Sequence, residues 1–586
     1  MAISMIKLQT LNLKKLIRVS EVDVILFSLA FTFVFFTTRY QLNATREFYF
    51  WDNAGYHNIV LQMMDRLHSA PKLDFFRDLY HSFSDEISNL FAVPLLPFME
   101  LFGESRFIFI LSMAFCYLLP TVFLTAWFCS RLVDSHRRLT FWVTTFLLLL
   151  SPFCWMSILD GRPDIGGVGI VLLAIILQCF SPAEKKGGWK PILSGVLLGL
   201  AILFRRQFIV SVVSFFFAFG ATEIILFSIL SLQKNSSKEI QLRQFYNKMA
   251  KLILIGIAMA AVLGTIGFPF TQRYLMNDIR EQYSSYLAVS DRGWTVVTQF
   301  LFSFFSIPVL VLTFIGYGAS FKFRIKSEIW NRMNLASFLF LVSWFLIWNL
   351  GVAPARHNYA ISVFWCIPIG LLALIFTFNQ LFQKKTYYFS FFFIGTLFLV
   401  NGFVLFSHRP IPKYLLPEPI IPIVRTDYNE MLNLVKDLKV KTTPNSPILV
   451  AGSSWILNEG VLANAETQLV GRKNRQLNIL GILHADSYKH IPIKELLKAE
   501  WVVVPSPFQW HMRPDVQQCV QVLHDAFIDS WEISKDFELT PKRYQLNDGV
   551  IVKIFHRIKS TSSEVEQLTL VRMKNRILKK IIHSNT

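Results

Sequence analysis

Residues 107–130 read FIFILSMAFCYLLPTVFLTAWFCS, an uncharged run framed by Arg106 and Arg131. The hydrocarbon core of a bilayer takes about 20 apolar residues in a helix, so this run has the length and composition of one crossing. Outward from it, comparable runs recur at 22–38, 139–159, 165–181, 191–204, 207–232, 252–269, 295–320, 335–353, 358–378 and 387–406. Lipid offers no partner for backbone N–H and C=O groups, so each run is expected to be a helix. The chain reads as a polytopic α-helical membrane protein of about eleven transmembrane helices.

Composition agrees. Of 586 residues, 53% are hydrophobic, 17% are charged and 57 are Phe, and mean hydropathy is +0.43. A soluble protein of this size carries more charge. The net charge of +19 lies in loops between apolar runs, and no basic patch interleaved with aromatics marks a nucleic-acid surface. The six cysteines show no paired spacing, which argues against a disulfide framework or a zinc site. Lys7, Lys14, Lys15 and Arg18 precede the first run in the manner of a signal peptide. No A-x-A-like cleavage site follows, so the first run is read as a retained span.

Cytoplasmic loops of membrane proteins are enriched in Lys and Arg. With the N-terminus inside and the spans alternating, the inside loops collect nearly all the lysines of the first 406 residues, among them Lys185, Lys186, Lys234, Lys248, Lys384 and Lys385. The short outer loops hold Arg162, Arg205, Arg206, Arg273, Arg280, Arg292 and Arg356, and no lysine. Arginine suits a site where a planar fork grips phosphate or carboxylate. An odd number of spans then places the C-terminal part outside.

Residues 1–406 are expected to form the transmembrane domain, with a long first outer loop at 40–105 carrying surface helices. Within that loop Asp52 to Leu67 has apolar residues at Ile59, Met63 and Leu67 and at Val60 and Met64, the spacing of a helix lying on the membrane. Leu90 to Met99 carries two prolines and is expected to lead the chain back into the bilayer. Residues 425–586 are expected to form a small soluble α/β domain, with strands at Pro447–Ala451, Trp501–Val504 and Val550–Phe555. Its His484, His490 and His511 show no ligand spacing and read as surface residues. Ala451 to Ser454 reads as an ordinary turn, and Arg572–Lys580 as a solvated or membrane-touching tail.

Ionisable residues at membrane depth are costly and mark functional sites. Here they gather at one rim. Asp52 follows the first span, Asp160, Arg162 and Asp164 lie between spans three and four, Arg205 and Arg206 between five and six, and Arg356, His357 and Tyr359 between nine and ten. A carboxylate can accept a proton from a hydroxyl nucleophile, and arginines can stabilise charge developing on a phosphate leaving group. That pairing suits sugar transfer from a lipid phosphate. For Asp52 and Asp164 a plain helix-capping role is the competing reading.

The ordered set of motifs resembles the bacterial family 39-type glycosyltransferases of the C superfamily, akin to protein mannosyltransferases and aminoarabinose transferases. Trp51-Asp52-Asn53-Ala54-Gly55-Tyr56 resembles the family's Asp-Glu-x-x-Tyr motif, and Leu90 to Ser105 its proline-bearing approach to the second span. Gly161-Arg162-Pro163-Asp164 resembles its Arg-Pro-Asp turn, and Arg356-His357-Asn358-Tyr359 its Arg/His-Tyr segment. The resemblance implies an inverting transferase that moves a sugar from a polyprenyl-phosphate donor to a lipid, protein or polysaccharide acceptor. It places the protein in the bacterial inner or plasma membrane, working on the extracytoplasmic face. By it Asp52 is the catalytic base, and Tyr56, His57, Arg162, Asp164, Arg205, Arg206, Arg356, His357 and Tyr359 bind substrate. Asn53 stands where the family usually has Glu, which weakens the case for a divalent metal; no cofactor is assigned. A transporter or flippase of lipid-linked saccharides, or a polymerase or ligase, is the alternative, but no inverted repeat is visible.

Overall fold

The computed structural model describes residues 20–69, 71–134, 136–179, 188–231, 238–276, 294–322, 328–350, 357–382, 386–484, 491–514 and 517–584. Helix α1 (Glu21–Ala44) crosses first; Ser20 caps it, its hydroxyl accepting from the Asp23 amide. After α2 (Trp51–Ser69) and the loop that follows, α3 (Arg106–Leu132) returns through the bundle. Then come α4 (Arg137–Leu150), α5 (Pro152–Leu159), α6 (Asp164–Cys179), α7 (Trp189–Phe204), α8 (Phe208–Ser231) and α9 (Lys238–Gly264). The bundle closes with α10 (Trp294–Phe305), α11 (Ile307–Lys322), α12 (Glu328–Asn349), α13 (Cys366–Phe382) and α14 (Thr386–Phe406).

The apolar runs are helical over most of their described length, and the chain is an integral membrane protein. Among the described residues five helices are individually long and apolar enough to cross a bilayer, and two bent pairs raise this to seven. The shorter apolar helices α6, α7 and α13 pack among them. Three expectations need correction. The run at 139–159 bends by 53° where Pro152, which has no N–H, starts a new helix. The run at 295–320 bends by 97°, with Ser306 at the corner in a left-handed conformation (φ +71°). The run at 358–378 opens with a 3₁₀ turn, His357–Val363, before α13.

The helices approach closely where glycine permits. A Cβ on Gly316 of α11 would lie 2.0 Å from the Gly370 carbonyl oxygen of α13. Such small-residue contacts bring membrane helices together in the absence of a hydrophobic driving force between them. One charged group is buried deep in the bundle. Glu223 of α8 is 3% exposed and meets Lys248 of α9 at 3.0 Å and Arg332 of α12. Removing one partner of a buried ion group strands the rest, at a cost of about 3–5 kcal/mol. Glu223→Gln is therefore expected to lower the melting temperature of the purified protein clearly, with its site geometry intact.

The apolar face of α2 does not lie on lipid. Tyr56, Val60, Leu61, Met63 and Met64 are buried in the protein core, and the Tyr56 ring meets Phe91 edge-on at 5.1 Å. Phe91 belongs to the proline-bearing segment, a 3₁₀ turn Asn89–Leu95 followed by the helix Leu96–Phe102. That segment is folded against the core, not against solvent, and supplies α2 with its apolar partner.

Beyond residue 425 the chain forms α15 (Tyr428–Lys441), β1 (Pro447–Val450), α16 (Glu459–Val470), β2 (Asn478–Ile479), β3 (Trp501–Ser506), α17 (Gln518–Ile528), β4 (Phe537–Leu539), β5 (Tyr544–Gln545), β6 (Ile551–Arg557) and α18 (Ser563–Ser584). The sheet order is β2-β1-β3-β6-β4, with β5 also on β6. The β2-β1-β3 half is parallel, and β6 runs antiparallel to its neighbours. The basic tail is a helix with its own docking face, not a solvated tail. Met573 and Ile577 are fully buried, the Arg572 guanidinium lies 4.2 Å from the Trp531 ring centroid, and Arg576 pairs with Asp525.

Candidate active site

Four loops meet at the end of the bundle that carries α2. The first contributes the start of α2, with Asp52 in its first turn, the end of a helix that favours an anion. The second is the turn Asp160–Asp164 between α5 and α6. The third is Arg205–Gln207 between α7 and α8. The fourth is the 3₁₀ turn that holds Tyr359.

Asp164 sits wholly buried at the start of α6, where a cap exposed to solvent would be the bland alternative. It accepts from Gln207 Nε2 at 2.8 Å and pairs with Arg205 Nη1 at 3.0 Å. The Arg205 guanidinium carbon lies 5.0 Å from the centre of the Tyr56 ring. Burial works against the charge of Arg205, but the carboxylates, Asp164 first and Asp52 after it, outweigh it and keep the guanidinium protonated; Tyr56 and Tyr359 lie within electrostatic range of it as well. Arg162 has the same company: burial opposes its charge, and Asp160, Asp52 and Asp164 more than restore it. Burial also pushes the Tyr56 phenol up, so it stays a hydrogen-bond donor.

The structure therefore brings Asp52, Tyr56, Arg162, Asp164, Arg205 and Tyr359 within electrostatic reach of one another. Two others point elsewhere. His57 shares a hydrogen bond with the Glu104 carbonyl at 3.1 Å and stacks on Phe109 at 4.7 Å; burial and the Arg106 charge push it down to about 3. Arg206 turns to Glu86 at 3.4 Å and lies over Tyr274 at 5.4 Å. With Phe83, Leu203 and Phe270, Arg206 and Tyr274 line a narrow cleft of about 30 Å³ that also reaches Tyr56 and Arg205. Arg356 and the side chain of His357 lie outside the described residues, as does His490.

Two site residues escaped the sequence reading. Arg106, which closes off the run quoted first, is a staple. It donates to the Asn53 carbonyl at 2.6 Å and to the Asp160 carbonyl at 3.1 Å, and lies over Tyr49 at 4.1 Å. It thereby ties the start of α2 to the Asp160–Asp164 turn. Its flank is only as roomy as Gly161 allows: φ there is +85°, and a Cβ would sit 2.7 Å from Arg106 Nη2. Gly161→Ala is expected to cost about 1–3 kcal/mol through the left-handed backbone alone. It should also shift the staple, seen as a lower melting temperature together with lower activity. Glu47 is the second. Desolvation raises its carboxyl to about 7, with Arg106 opposing and Asp160 adding to the rise.

His484 and His511 are not surface residues. His484 is 9% exposed, and it converges with His511 on Ser453, in the stretch that reads as an ordinary turn. Among the described residues no three His, Cys, Asp or Glu side chains come together to hold a metal ion. Asp164 pairs with Arg205, and Asp52 lies within electrostatic range of Arg162 and Arg205.

No family model matches this sequence, and no curated protein matches it either. Solved structures do. ArnT from Cupriavidus metallidurans in the apo state aligns with a TM-score of 0.51 at 12% identity, over 90% of this chain and 97% of that one. The same protein bound to undecaprenyl phosphate aligns with a TM-score of 0.50 at 12% identity, over 92% and 99%. At this identity the likeness is one of fold. Over about nine-tenths of its length the chain has a fold like that of ArnT.

Proposed function

We propose that this protein is an inverting glycosyltransferase that moves a sugar from a polyprenyl-phosphate donor to an acceptor hydroxyl. The observation that carries the reading is the cluster of Asp52, Arg162, Asp164, Arg205, Tyr56 and Tyr359 at one end of the bundle. Asp52 accepts the hydroxyl proton as the acceptor oxygen attacks the anomeric carbon. The bond from that carbon to the donor phosphate oxygen breaks, and polyprenyl phosphate leaves. Arg205 and Arg162 stabilise the charge that develops on the phosphate. Asp164 keeps Arg205 in place.

The cleft beside Arg206 is the candidate approach for the donor: Arg205 and Arg206 line it together with apolar side chains, alongside the carboxylates of Asp85 and Glu86. ArnT, the protein of like fold, was crystallised with undecaprenyl phosphate, which supports a lipid phosphate here. A separate groove between α2 and the C-terminal part is lined by Asn58, Gln62, Arg472, Arg475 and Asn478 and suits the approach of a hydrophilic acceptor. The excess of Lys and Arg in the opposite loops supports an extracytoplasmic site, and the motif resemblance supports a bacterial inner or plasma membrane.

The test is turnover by purified protein with a panel of polyprenyl-phosphate sugars and candidate acceptors. NMR of the product should show the anomeric configuration inverted. A retained configuration would mean a covalent sugar–enzyme intermediate and would remove Asp52 as a simple base.

A further inference from the structure

A second polar cluster lies at the contact between the C-terminal part and α2. In the parallel half of the sheet the chain leaves β1, pairs β2 on one side of it, and then pairs β3 on the other. The carboxyl end of β1 is thus a topological switch point, where open α/β sheets gather functional side chains. Three connections deliver polar groups there. Ser453 follows β1, Glu459 opens α16, His484 follows β2, and His511 and Gln517 follow β3. The Ser453 hydroxyl is bonded to His484 Nδ1 and, at 3.0 Å, to His511 Nδ1, and it accepts from Gln517 Nε2 at 2.8 Å. Glu459 holds the other ring nitrogen of His484 at 2.5 Å. Ser453 is 1% exposed, so the cluster is not open to a substrate of its own.

Trp51 covers it. The indole packs on the His511 ring with centroids 4.1 Å apart, and the His484 ring meets it edge-on at 5.7 Å. Its buried N–H has no hydrogen-bond partner among the described residues, and packing against the two imidazoles holds the ring. Trp51 adopts φ +44°, a conformation that a bulky residue keeps only when its surroundings enforce it. The preceding loop is gripped by the same unit. Phe48 is buried in its core, stacked on Tyr428 at 4.4 Å, and the Tyr49 amide donates to Asn464. Trp51 ends this stretch and Asp52 comes next; further along α2, Asp65 pairs with Arg472 of the same unit.

We propose that Ser453, His484, Glu459, His511 and Gln517 form a clamp that fixes Trp51 and thereby aims the Asp52 carboxylate; they are positioning residues. The proposal rests on Asp52 being the base. Burial pushes His511 down to about 4, so the ring lies on Trp51 in its neutral form at physiological pH.

The experiment is a mutant cycle in the transfer assay, with melting temperature measured for each variant. His511→Ala is expected to lower kcat about tenfold with the donor KM unchanged, because the donor arginines stand on other loops. His511→Tyr, which keeps a ring on Trp51, should recover most of that rate. On an Asp52→Asn background, His511→Ala should cause no further loss. A tenfold loss on both backgrounds, an unchanged kcat, or a matching rise in KM would overturn the clamp while leaving the base in place. An Asp52→Asn variant as fast as wild type would overturn the base and the clamp together. If His511→Ala does not fold, Ser453→Ala takes its place in the same cycle, with the same expectations.

Discussion

Asp52→Asn is expected to lower kcat for sugar transfer about 10³-fold, within the range that general-base catalysis commonly contributes. The substitution keeps the size and planarity of the side chain and removes its negative charge and its capacity to take a proton. Asp52 lies in the first turn of α2, flanked by the Arg106 staple that holds the Asn53 carbonyl. The local frame therefore survives the change. Donor KM should stay within about twofold, since the groups assigned to phosphate are Arg162 and Arg205. Kinetics on the two purified proteins check both numbers. An equal kcat would keep the enzyme and discharge Asp52 from its role.

The second large effect is expected at Arg205. Arg205→Ala should lower kcat/KM by about 10²–10³-fold, the usual consequence of removing one preorganised donor from a developing oxyanion. A guanidinium has five N–H donors, and the Asp164 pair at 3.0 Å leaves others for phosphate. The substitution also leaves Asp164 buried beside Gln207 without its cation, so stability falls as well. The double variant Arg205→Ala/Asp164→Asn separates the two effects. Its melting temperature should recover toward wild type while kcat/KM stays low. If activity recovered with stability, Arg205 would be only the counter-ion of Asp164. Arg205→Lys keeps the charge and loses the planar fork, so an intermediate rate is expected.

Much of this arrangement was legible in the chain itself. Uncharged runs such as 107–130 announce bilayer crossings because the lipid imposes one length and one polarity on them. The rim residues Asp52, Arg162, Asp164 and Arg205 stood out because charge at that depth is costly. What stayed hidden depends on long-range geometry. Arg106 looks like an interfacial flank until its guanidinium is seen against carbonyls some fifty residues away in each direction. The 97° corner at Ser306 has no proline beside the break on its N-terminal side and rests on one left-handed residue. Val60 and Met64 have the spacing of a lipid-facing stripe, and only the return of Phe91 shows that protein covers it. His484 and His511 carry no spacing signal, because their meeting on Ser453 is made by the parallel sheet and not by the local sequence.

The most direct test compares purified protein in detergent with the same protein in liposomes, each given a polyprenyl-phosphate sugar and acceptor. Detergent micelles have no second leaflet, so a transporter has nothing to do there, whereas a transferase still turns over. Release of polyprenyl phosphate and sugar-bearing product in detergent, lost in Asp52→Asn, is the predicted result. Silence in detergent alongside transbilayer movement of the lipid-linked sugar in liposomes would contradict it.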